Sequence, residues 1–126
     1  MNVRLLQIHP STPPRVSFFS ACGTGEANWS GPLPSVDTWC EVELDLDDEF
    51  RWGHNLKPTQ RHSASLNVQA DGLHLCAELV ALEADGTAVL NLHGSIVLIS
   101  LHPHTEAHTG WVELVAQDLT LHGVER

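Results

Sequence analysis

Three groups of residues in this chain have the types and spacing to do chemistry. The first is HPHTEAH, which puts His102, His104, Glu106 and His108 within one short segment. Imidazoles two apart on an extended backbone point the same way, and a nearby carboxylate completes a donor set suited to zinc or iron. The second is DTWCEVELDLDDE, where seven of the 13 residues from Asp37 to Glu49 are acidic. The third is the set Trp29, Trp39, Trp52 and Trp111, in a chain without tyrosine. Indoles outside a core are costly unless they cover something, and they are frequent at the energetic centre of interfaces.

Each group has a plain structural use as well. A metal held by His102, His104, Glu106 and His108 needs donors converging at about 2.0–2.2 Å. Pro103 sits between the first two, and Gly110 more simply lets the chain re-enter a strand, so the segment reads as a polar loop. No metal and no cofactor are expected; a metal site at 102–108 is the alternative. In the acidic segment Trp39, Glu41, Glu43, Asp45 and Asp47 alternate with Cys40, Val42, Leu44, Leu46 and Phe50, the signature of a half-buried strand. Carboxylates on one strand face stand about 6.6–6.8 Å apart, wide for one shared metal. The row is better suited to attracting a basic surface, and it also blunts an edge strand against aggregation. Trp39, Glu41, Glu43, Asp45, Asp47 and, from a long loop, Trp29 are the expected partner-binding residues.

Catalytic motifs are sparse. The sequence holds no GxSxG, P-loop or HExxH, and Gly23-Thr24-Gly25 lacks a third glycine. Cys40 falls on the apolar strand face, where a thiol is ordinarily inert packing. No catalytic residue is assigned, and a non-enzymatic role is favoured.

The elements that must position these groups read as β-structure. Short strands are expected at Val3–Ile8 and Val16–Ser20, then an irregular loop over Ala21–Asp37, rich in proline and glycine. Asp71-Gly72 and Asp85-Gly86 suit type I′ turns and predict a meander of His62–Ala70, Leu73–Glu83 and Thr87–His93. His93-Gly94 turns the chain into SIVLISL, whose lack of polar relief suits a strand buried on both faces. GWVELVA and DLTLHGV form a pair around Gln117-Asp118. One conflict stands: Leu75, Leu79 and Leu82 are also helically spaced, and a helix over 72–85 makes the class α+β. The favoured class is all-β, a single antiparallel, partly open barrel or strongly curved sheet. It is one domain over 1–126, with 1–37 leading into barrel strands over 38–124.

Composition narrows the partners. The 126 residues carry 6 Lys and Arg against 16 Asp and Glu, a formal charge of −10. Such a chain repels phosphate backbones, so nucleic acid is excluded as a partner. The longest unbroken apolar runs, Leu79–Leu82 and Ile96–Ile99, are far short of the roughly 20 residues that span a bilayer, so no membrane is expected. Three cysteines without a CxxC and an N-terminus without a signal-peptide pattern point to the cytoplasm.

The succession of curved strands and tight hairpins over roughly Thr38 to Val124 resembles small five- to six-stranded barrels of the OB type. A small acidic β-domain of this kind is also similar to bacterial immunity proteins, through Glu41, Glu43, Asp45, Asp47, Asp48 and Glu49. That resemblance implies a role in neutralising a basic partner domain. The leading expectation is therefore an immunity- or inhibitor-like interaction protein presenting its acidic strand to a basic protein. The alternative is a small-molecule-binding barrel or small barrel enzyme, its pocket under the 21–37 loop. Homodimerisation through SIVLISL is a further option.

Overall fold

The computed structural model describes residues 1–124. Its strands are β1 (Asn2–His9), β2 (Arg15–Ser20), β3 (Gly23–Ser30), β4 (Trp39–Leu46), β5 (Glu49–Phe50) and β6 (Leu56–Pro58), followed by β7 (Ser65–Gln69), β8 (Gly72–Leu82), β9 (Thr87–Leu92), β10 (Ser95–Leu101), β11 (Gly110–Ala116) and β12 (Leu119–Gly123). No helix occurs among the described residues, and none is long and apolar enough to cross a membrane. The protein is an all-β barrel with additional strands.

Five strands close the barrel. β1 pairs with β2, β2 with β3, and β4 with both β1 and β12, all antiparallel. A parallel ladder between β3 and β12, Thr120 to Asn28 through His122 to Ser30, completes the ring. Alternation drives the closure, because Val3, Leu5, Val16, Phe18, Ala27, Trp29, Val42, Leu44, Leu119 and Leu121 all point inward and are buried. The barrel thus uses the N-terminal strands and the last strand, whereas a barrel from Thr38 onward was expected. Residues 49–116 form a second sheet inserted between β4 and β12. There β8 pairs with β11 along one edge and with β7 and β9 along the other, while β10 extends β9 and β6 extends β11. One apolar cluster runs through both parts.

Gly23 joins the two sheets. It opposes Leu66, whose N–H donates to the Cys22 carbonyl at 2.9 Å. Its φ is +137°, and a Cβ there would overlap the Leu66 carbonyl oxygen. Only glycine meets both demands.

Several expectations need correction. Ala21–Asp37 is not one long loop: Gly23–Ser30 is β3, and only residues 31–38 connect it to β4. Glycine and proline density concealed a strand whose Gly25, Ala27 and Trp29 alternate inward. The Asp-Gly turns are not type I′. Ala70-Asp71 forms a two-residue loop before Gly72, and Ala84-Asp85-Gly86 forms a three-residue loop with Gly86 at φ +91°. The double positive φ of a type I′ turn occurs instead at His93-Gly94, φ 52° and 90°. β8 is a strand throughout, so the helical alternative over 72–85 fails; a bulge between Leu79 and Ala81 accounts for the helix-like spacing of its leucines. β10 is buried on one face only, with Ile96 61% and Leu98 58% exposed. Finally, β11 and β12 do not pair with each other. Gln117-Asp118 carries the chain from the second sheet back to the barrel, and both of its backbone N–H groups donate to the Asp48 carboxylate at 2.9 Å.

Candidate functional site

β4 lies between β1 and β12, and its even-numbered residues from Val42 to Leu46 fill the barrel. The period of two then places Trp39, Glu41, Glu43 and Asp45 on the outer surface. Trp39 is 55% exposed and meets the ring of Phe19 edge-on, with centroids 6.2 Å apart. Arg4, opposite Trp39 on β1, pairs with Asp37 at 3.1 Å. Glu41 is half-buried, while Glu43, Asp45 and Asp47 are exposed. His122, opposite Glu43 on β12, bonds the Asp45 carboxylate at 2.7 Å.

The other acids of the run are structural. Asp48 clamps Gln117-Asp118, and Glu49 stands 3.8 Å from Arg51 and 3.3 Å from His102. Trp29 is not a surface residue. It is 3% exposed inside the barrel, with its indole N–H donating to the Pro32 carbonyl at 3.2 Å. It therefore leaves the partner-binding set, and the expected pocket beneath a 21–37 loop loses its loop.

Two grooves border the acidic face. One, of about 500 Å³, has Glu43 and Asp45 on its β4 side and Ile96 and Leu98 on its β10 side. The other, of about 560 Å³, is lined by Phe19, Trp39, Met1 and His93. Both touch Met1, Gly94 and Ser95, so the two form one continuous surface. Ile96, Leu98 and Phe19 are the contributors that sequence reasoning missed. SIVLISL is apolar on both faces, so periodicity could not say which face was covered.

The histidine segment is dispersed. The His104 ring nitrogen accepts the Glu106 N–H at 3.1 Å, and His108 Nδ1 donates to the Glu106 carbonyl at 3.0 Å. His108 also meets the Trp52 ring edge-on, while His102 faces Glu49. Among the described residues no group of three or more His, Cys, Asp or Glu is arranged to hold a metal ion. Burial raises the thiol pKa of Cys40 and of Cys76, which lowers their thiolate fraction and their nucleophilicity.

No protein-family model, curated protein or solved structure matches this chain.

Proposed function

We propose that this chain is a non-enzymatic, immunity- or inhibitor-like binding protein that takes up a basic protein on the outer face of β4. One observation carries the reading: a groove with carboxylates Glu43 and Asp45 on one wall and exposed Ile96 and Leu98 on the other. Lysine and arginine are amphipathic, with an apolar stem and a charged head. Such a side chain entering this groove lays its stem on Ile96 and Leu98 and brings its head to the carboxylates. Trp39 and Phe19 extend the surface with an aromatic anchor of the kind that dominates interface energetics. The sequence-level resemblance to bacterial immunity proteins supports a basic toxin-like domain as this partner.

The test is capture of the partner from native lysate, followed by titration of the purified pair. Wild type should bind a basic protein with affinity that falls steeply as salt rises, since exposed charges are screened within about 8–10 Å. Glu43→Lys with Asp45→Lys should abolish binding, and Ile96→Ser with Leu98→Ser should weaken it, each with an unchanged circular dichroism spectrum. A partner retained equally by the charge-reversed protein defeats the proposal. Concentration-dependent sedimentation lost on Ile96→Ser would assign the same face to a second copy instead.

A further inference from the structure

With only 6 Lys and Arg against 16 Asp and Glu, the positions of the cations are informative. Arg4, Arg15 and Arg51 each stand beside a surface carboxylate, at 3.1, 3.8 and 3.8 Å. Lys57 and Arg61, the latter 4.0 Å from Glu113, line one cleft of about 320 Å³ together with His54 and His74. The second sheet builds it. β11 lies between β6 and β8, and β7 flanks β8, so Lys57 opposes Glu113 while His74 lies between Val115 and Asn67. Along β7, Ser65, Asn67 and Gln69 line the same cleft at a spacing of two.

The carboxylates present are already engaged. Asp71 bonds His74 at 2.5 Å, and Glu113 accepts the Thr59 hydroxyl at 2.9 Å and stands 4.0 Å from Arg61. Arg61 also donates to the Ser65 hydroxyl at 3.2 Å. Lys57 makes no ion pair with any described residue, although it faces Glu113 across the ladder. An ammonium without an ion pair among the described residues thus lines the same cleft as a guanidinium, in a chain with this excess of acid.

We propose that this cleft binds a small oxyanion-bearing molecule, a phosphate ester or a carboxylate. Lys57 and Arg61 would hold the anionic group while Asn67 and Gln69 bond its neutral part. The guanidinium fork matches the paired oxygens of either anion, and the ammonium adds a point charge. The protein's overall negative charge opposes anions at long range, but screening over about 8 Å at physiological salt leaves the contacting charges to decide. The volume lies at the lower end of the roughly 300–1,000 Å³ of ligand sites, which suits a small molecule. This site is separate from the β4 face and selects the opposite charge.

The experiment is isothermal titration of the full chain with inorganic phosphate and, separately, with citrate, at constant ionic strength set by sodium chloride. Saturable binding of at least one is expected, weakened roughly tenfold or more by Lys57→Gln and by Arg61→Gln. Arg51→Gln should leave it unchanged. Binding of phosphate alone assigns a phosphate ester, binding of citrate alone assigns a carboxylate, and binding of both supports the shared chemistry. On the unmutated chain, amide shifts induced by the bound anion should centre on residues 57, 61 and 67, a readout that does not depend on any variant folding. Absence of saturable binding with both anions, affinities unchanged in the two cleft variants, or shifts centred elsewhere would overturn the proposal.

Discussion

Residues of one type do different work here because burial, not identity, sets their role. Trp29 fills the barrel while Trp39, ten positions on, stands in solvent against Phe19. Trp29→Ala should cost about 3–5 kcal/mol, the range for deleting a buried aromatic. Trp39→Ala forfeits an exposed edge contact and should cost under about 1.5 kcal/mol while weakening partner binding. Equal losses in chemical denaturation would contradict this division. The acids divide likewise. Asp85 accepts the Thr87 N–H at 2.9 Å, and that hydrogen bond holds its carboxyl below the usual value. Asp71 is lowered chiefly by its bond to His74. A carboxylate depressed in the folded state stabilises above its unfolded pKa, about 3.9, and that stabilisation is lost as pH falls through the folded value. Asp85→Ala should therefore melt below wild type at neutral pH, with the gap narrowing under about pH 4. A gap constant down to about pH 2.5 would remove the carboxylate from the explanation.

At the scale of elements, strict alternation was legible in the sequence and mixed signals were not. β4 follows its pattern through Val42, Leu44 and Leu46, and β8 and β9 were found between their turns. β3 was missed because Gly23, Gly25 and the later prolines suggest a loop, whereas Gly25 is required by packing: a Cβ there would meet the Phe18 ring at 2.7 Å. The pairing of β11 with β12 was misjudged because sequence proximity favours a hairpin, and the choice depended on Asp48, 69 residues from Gln117. Half of the candidate site was likewise legible. The acidic wall lies on one strand, but its apolar wall comes from β10, which only the tertiary fold brings alongside. Asp48→Ala should test the link between the sheets. Loss of two bonds to a charged acceptor at an exposed position should cost about 1–2 kcal/mol. Hydrogen exchange at the Gln117 and Asp118 amides should accelerate more than at β4, and uniform acceleration across both strands would show that Asp48 is not a local clamp.

For the whole molecule, the decisive event is closure of the barrel by its last strand. β1 to β4 are made first in the chain, yet β3 and β4 have no mutual ladder and meet only through β12. The closing contacts span more than 70 residues, from Asp45 to Thr120 and from Trp29 to Leu121, and folds dominated by such pairings form slowly, in milliseconds to seconds. Until β12 arrives, two strand edges and the apolar faces of Val42, Leu44 and Trp29 are uncovered, which invites pairing with other chains. Leu119 and Leu121 are the plug, 3% and 0% exposed. Leu121→Ala should cost about 2–5 kcal/mol in equilibrium unfolding. A chain ending at Ala116 should fail to give the cooperative transition of the full protein and should aggregate, although every residue of the inserted sheet remains. If that truncated chain instead melts cooperatively as a monomer, the inserted sheet is the stable unit and the barrel is held by it. In that case the acidic face of β4 would owe its shape to β10 rather than to its neighbours in the ring.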